Sequence, residues 1–257
     1  MILNILVFLF GLAIGSFLNC VVYRIEKNQS FLRGRSHCPK CNHTLNWQDL
    51  IPVFSFLLFG NKCRYCHKKI SIQYPLVEIA TGIVLLLVFN YFYFFNFQTI
   101  VSIIYLFIIS SLLIIIFIYD LKYYIIPDKI LFSAIAIVFL CQLIFSFRFL
   151  DFNPLWAGLG ACAFFLFIFL VSDGRWMGFG DVKLAFFMGL FLGYPNILVA
   201  LFLAFFLGAI IGVGLITLGN KNLKSEVPFG PFLITGTFLA LLWGQELIQW
   251  YLRLFLF

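Results

Sequence analysis

The sequence predicts an all-α protein, a polytopic membrane helix bundle of about eight spans with one small polar module on a single side. Three observations carry this prediction. The 257 residues are 63% hydrophobic and only 11% charged, where a soluble domain is about half apolar and about a quarter charged. Apolar runs long enough to cross ~30 Å of hydrocarbon recur along the chain. The cations, finally, collect in alternate loops, as membrane topology requires.

The runs fall at about 3–23, 76–95, 99–119, 130–147, 154–172, 197–218 and 231–250, with a shorter one at about 182–195. The short run lies between Gly180-Asp181 and Tyr194-Pro195-Asn196 and counts as the sixth span. Residues 1–20 lack the cationic start and the small-residue cleavage site of a signal peptide, so the first run is read as a retained span. The expected organisation is a first span at 1–23, a cytoplasmic segment at 24–75 and a transmembrane bundle over 76–257. Gly11 and Gly15, like Gly208 and Gly212, stand four apart, the spacing that lets membrane helices approach closely.

The net charge of +7 would suggest a nucleic-acid partner in a soluble chain. Here the placement of the charges matters more than their sum, and lipid is the expected surrounding. Segment 24–75 holds nine Lys and Arg, and the loops 120–129, 173–183 and 219–230 hold six more. Only Arg148 and Arg253 fall on the other side. The positive-inside rule then places the long segment and the three loops in the cytoplasm and both termini outside. Counting the short run as a span keeps this parity.

Within the long segment, Cys38-Pro39-Lys40-Cys41 and Cys63-Arg64-Tyr65-Cys66 are separated by 21 residues. Two C-x-x-C knuckles at this separation suit a tetrahedral zinc site. The predicted fold is thus a membrane bundle with a small cytoplasmic zinc-ribbon-like module. Two disulfides or four free thiols are the alternatives, and a reducing compartment disfavours the first. Four thiolates leave no open position, so the zinc expected here is structural. Cys20, Cys141 and Cys162 lie in or near apolar runs and read as small buried hydrophobes.

With only ten acids in the chain, each can be placed. Asp120 closes the third long run, and Asp181 opens the short one within Gly178-Phe179-Gly180-Asp181-Val182-Lys183. Both lie at the same predicted membrane boundary, on different helices, where ionisable groups are costly and often functional. Two carboxyls facing one another share a proton, and such a pair activates water while protonating the departing group. A lone acid at a span end is otherwise a solvated boundary residue or a helix N-cap. Asp128, after Pro127, reads most simply as a turn or cap residue. No G-x-S-x-G or H-E-x-x-H motif is present.

At these residues the chain resembles the type IV prepilin peptidases, or leader peptidase/N-methyltransferases, of the G-x-G-D aspartic peptidase group. The resemblance begins at Gly15-Ser16-Phe17-Leu18-Asn19 with Arg24. It continues through Arg35-Ser36, the first knuckle, Trp47, Leu50-Ile51-Pro52, the second knuckle, Ile70, Tyr74-Pro75 and Glu78. Asp120 with Ile126-Pro127-Asp128 resembles the first catalytic motif, and Gly178-x-Gly180-Asp181-x-Lys183-Leu184 the second. Pro228-Phe229-Gly230-Pro231 is similar to the late motif before the last span. The ordered set is specific where G-x-G-D alone is weak.

The resemblance implies Asp120 and Asp181 as the catalytic pair, with Gly178, Gly180, Lys183, Asp128, Glu78, Pro228 and Gly230 as lining or support. It implies prepilin or pseudopilin substrates with a short basic leader, cut after Gly at the cytoplasmic face of a bacterial inner membrane. It also implies N-methylation of the new terminus from S-adenosylmethionine. That half rests on the resemblance alone, since no βαβ dinucleotide-type pattern is present. A proton- or cation-coupled transporter using boundary acids is the competing class; it favours mid-span acids and pseudo-symmetric halves. A non-catalytic zinc-knuckle adaptor is the third.

Overall fold

The computed structural model describes residues 2–30, 34–92, 97–149, 152–218 and 227–255. Arg33, Asp151, Lys221, Lys224 and Glu226 lie outside the described residues, as does the side chain of Arg148. The described residues form helices and connecting turns, with no β-strand among them. Nine α-helices are described: α1 Ile2–Glu26, α2 Phe54–Leu58, α3 Gln73–Phe92, α4 Phe97–Tyr123, α5 Asp128–Phe149, α6 Asn153–Val171, α7 Phe179–Leu192, α8 Asn196–Thr217 and α9 Gly230–Phe255. Six of them, α1, α3, α4, α6, α8 and α9, are long and apolar enough to cross a bilayer. This is a multi-pass membrane protein.

Two further long elements are α5, whose 22 residues begin at Asp128, and α7. α7 has 14 residues and so extends only ~21 Å at 1.5 Å per residue. Eight of its residues are buried, from Asp181 to Leu190, and it packs on α5, α6, α8 and α9. Protein rather than lipid surrounds it, so bilayer thickness does not set its length.

The chain divides into two compact units, residues 1–115 and 116–257. In the first, α1 and α3 pack tightly. A Cβ on Gly11 would lie 2.7 Å from the Gly82 Cα, and one on Gly15 would lie 2.7 Å from the Glu78 Cα. Nothing larger than glycine fits at either place. Between these helices lies the cysteine module, with a 3-10 turn at Trp47–Leu50 followed by α2. Arg24, 5% exposed at the end of α1, donates to the carbonyls of Ser30, Gly34 and Arg35. It thereby ties the chain leaving the membrane to the start of the module.

In the second unit the close approaches are Gly189 of α7 against Gly158 of α6 and Gly236 of α9 against Ala200 of α8. A Cβ on Gly189 would fall 2.5 Å from the Gly158 Cα, and one on Gly236 would fall 2.4 Å from the Ala200 carbonyl oxygen. The expectation of close packing at Gly208 and Gly212 is corrected. Gly208 has ordinary clearance from Phe229 and Phe232, and Gly212 faces open space. Spacing along one helix does not say which face meets a neighbour.

Candidate functional site

α4 carries Asp120 in its last turn, and α7 carries Asp181 in its first. Both side chains are buried, at 4% and 9% exposure. The Asp120 carboxylate accepts from the backbone N–H of Gly230, the first residue of α9. The Asp181 Oδ2 accepts from the Gly178 N–H at 3.3 Å, the backbone just before α7. Each acid is thus aimed at a helix start, where unpaired N–H groups and the helix dipole favour negative charge. The Asp120 charge acts on Asp181 directly.

Glycines and one isoleucine set the walls. A Cβ on Gly230 would lie 2.5 Å from Asp120 Oδ2, so the carboxylate occupies the space a side chain would take. The buried Ile126 side chain would be met both by a Cβ on Gly180, at 3.1 Å, and by one on Gly230, at 3.5 Å. Asp120, Ile126, Gly180, Asp181 and Gly230 therefore form one group, drawn from α4, the α4–α5 turn, α7 and α9. Gly178 is looser: a Cβ there would be 3.6 Å from Asp181 Oδ2, an ordinary contact.

Lys183 and Asp128 pair with each other through Nζ and Oδ1. The Lys183 ammonium also lies over the rings of Phe132 and Phe179, at 5.5 and 5.4 Å. Asp128 begins α5 as an exposed first-turn residue. Pro228 is half-buried two residues before Gly230, and Glu78 belongs to the other unit. The quoted motifs contain Ile126, but an apolar residue between two acids carries no chemical signal that would have singled it out.

The four knuckle thiols, Cys38, Cys41, Cys63 and Cys66, lie with their Sγ atoms within 4.8 Å of one another, a set able to hold one metal ion. Each knuckle is a small hairpin closed by one bridge, His37 with Thr44 and Lys62 with Lys69. The two hairpins repeat at an offset of 25 residues. Cys38 N–H donates to His43 C=O, as Cys63 does to Lys68; Leu45 donates to Ser36, as Ile70 does to Asn61. Asn42 and His67, one residue past each knuckle, share a positive φ of 56° and 55°. That backbone turns both sulfurs of a pair inward. Cys20, Cys141 and Cys162 are free and half-buried, more accessible than small core residues would be.

The bacterial peptidase A24 N-terminal domain model matches residues 9–92, and the type IV leader peptidase family model matches residues 106–213. Three similar relatives bear the name prepilin leader peptidase/N-methyltransferase. The one from Aeromonas hydrophila is 32% identical over 98% of this chain and 94% of its own length. That from Bacillus subtilis (strain 168) is 31% identical over 97% and 98%. The Pseudomonas aeruginosa relative is 29% identical over 95% and 92%. No solved structure matches the chain. With two family models in chain order and relatives matched over nearly their whole lengths, this chain belongs to the type IV leader peptidase family.

Proposed function

We propose that the protein is a membrane-embedded aspartic endopeptidase that removes the basic leader of type IV prepilins or pseudopilins and then N-methylates the new terminus. The observation that supports this most is the convergence of Asp120 and Asp181, from separate helices, on one glycine-walled group. Two carboxyls held this way share one proton. The ionised member takes a proton from water as the water oxygen attacks the scissile carbonyl carbon. The protonated member donates to the carbonyl oxygen, and a proton then passes to the departing amine. The Gly230 and Gly178 amides hold the single negative charge in place through the cycle.

The pair works at the cytoplasmic face, with both chain termini outside. The reading rests on the cation asymmetry of the sequence, fifteen of 17 Lys and Arg on that side. A basic leader is held on the same side by the same potential, so the cleavage point stays at the boundary.

Zinc suits the four thiols, since Zn–S bonds of about 2.3 Å put tetrahedral sulfurs about 3.8 Å apart, within the observed grouping. All four positions are then filled, and the role is to fold the module. Chelator added to the purified protein is expected to leave the initial cleavage rate unchanged. The module should then loosen over time, read as growing thiol reactivity. Immediate loss of cleavage, restored by zinc, would make the metal catalytic instead.

S-adenosylmethionine supplies the methyl group when bound. The test of the whole reading is mass spectrometry of a prepilin incubated with purified protein in lipid. Expected are loss of the leader and, only with S-adenosylmethionine present, gain of one methyl group. An intact prepilin would end the reading.

A further inference from the structure

Three acids are buried among the described residues: Asp120, Asp181 and Glu78. The first two serve the proposed peptidase in residues 116–257. The third lies in residues 1–115, in the second turn of α3, and is not in the group that Asp120 and Asp181 form.

Glu78 is 6% exposed. Its Oε2 accepts from the Val53 N–H at 2.7 Å, and its carboxylate also accepts from the Ser16 side chain. No ion-pair partner for it occurs among the described residues. An intramembrane carboxylate without a cation is expensive, and both of its protein partners are neutral. The other five described acids are not buried: Asp128, Asp173 and Glu246 are exposed, and Glu26 and Asp49 are half-buried. Asp49 accepts from Asn46 and Tyr65, Asp128 pairs with Lys183, and Glu26 lies near Lys27.

The backbone over Glu78 is strained. Val53 has φ +61° and ψ −46°, and Phe54 N–H donates to Pro52 C=O at 2.6 Å. This is the rarer, positive-φ form of γ-turn, at a β-branched residue that adopts it poorly. Strain of this kind persists where surrounding structure enforces it, and it gathers at ligand-binding places. The turn that holds the acid lies near the surface: Ile51 is exposed, and Pro52 and Val53 are half-buried.

We infer that Glu78 is the anionic group of the methyl-transfer site, receiving the new N-terminal ammonium of the cut substrate. The inference rests on the bifunctional reading above. Both reactants of that step are cationic, a primary ammonium and a sulfonium, and Glu78 is the buried charge left to complement them. The Glu78 carboxylate takes one proton from the ammonium. The freed nitrogen lone pair bonds to the methyl carbon as the S–CH₃ bond breaks toward sulfur. A methylammonium and a neutral thioether result, and the proton leaves Glu78 to water.

Glu78→Gln separates this role from a purely structural one, because the amide oxygen still accepts from Val53. The probes are a pre-cut pilin N-terminal peptide with a free amine and the same peptide acetylated. The variant is expected to bind the free-amine peptide at least tenfold more weakly than wild type and the acetylated peptide equally well. Its cleavage of full prepilin should fall far less than its methylation. Methylation should fall by about a hundredfold or more, and the deficit should narrow above about pH 8, where an α-amine is already neutral. Equal binding of the free-amine peptide, or a parallel loss of cleavage and methylation, overturns the assignment. Failure of the bifunctional reading itself would appear in the wild type, which would transfer no methyl group.

Discussion

Asp120→Asn is expected to lower leader cleavage by about a thousandfold or more while the protein keeps its fold and its zinc. The substitution is nearly isosteric, and the amide oxygen can still accept from the Gly230 N–H, so the local frame survives. Lost are the negative charge and the site for a mobile proton. A proton shuttle at one carboxyl is worth about two to four powers of ten, and the proposed mechanism uses both carboxyls in every turnover. The measurement is the rate of prepilin processing by purified variant, with melting temperature and zinc content as controls. Asp181→Asn should behave alike, and the double variant should be little worse than either, because the acids act as a unit. Wild-type processing by either single variant would remove the catalytic assignment.

Gly230→Ala should lower cleavage by about a hundredfold, although the changed residue has no reactive group. Its Cβ would stand 2.5 Å from Oδ2 and 3.2 Å from Cγ of Asp120, with Ile126 Cδ1 at 3.5 Å on its other side. The carboxylate must swing away from the Gly230 amide, and a displacement of about 1 Å can cost about a hundredfold in rate. Gly180→Ala, whose Cβ would approach Ile126 at 3.1 Å, should have an intermediate effect. Gly178→Ala, with ordinary clearance, should stay within a few-fold of wild type. Processing rates for the three variants, each with a melting curve, check the order. Equal loss at Gly178 and Gly230 would mean that these glycines matter for flexibility, not for room.

Much of the architecture was legible in residue pattern. The apolar runs mark every long helix to within a few residues, because burial in lipid imposes a nearly unbroken apolar sequence. Helices overrun those marks where the backbone ladder continues past the hydrocarbon. α4, for example, extends to Tyr123 and holds Asp120 inside its last turn. The double C-x-x-C spacing announced the thiol cluster, but its 25-residue repeat lies in backbone bonds and two positive-φ residues, where the side chains differ. The partnership of Gly189 with Gly158, and of Lys183 with Asp128, depends on which helix faces meet. That information is absent from spacing along any one helix. The core position of α7 was hidden for a related reason: a short apolar run looks the same wrapped by lipid or by protein.

The Asp120–Gly230 contact also bears on how this chain can be dissected. The matched peptidase region stops at residue 213, and the amide that steadies Asp120 comes 17 residues later. An excised piece trimmed to the recognised boundaries would keep both acids yet leave one of them without its backbone donor. Any minimal version meant to retain hydrolysis has to include the start of the last helix.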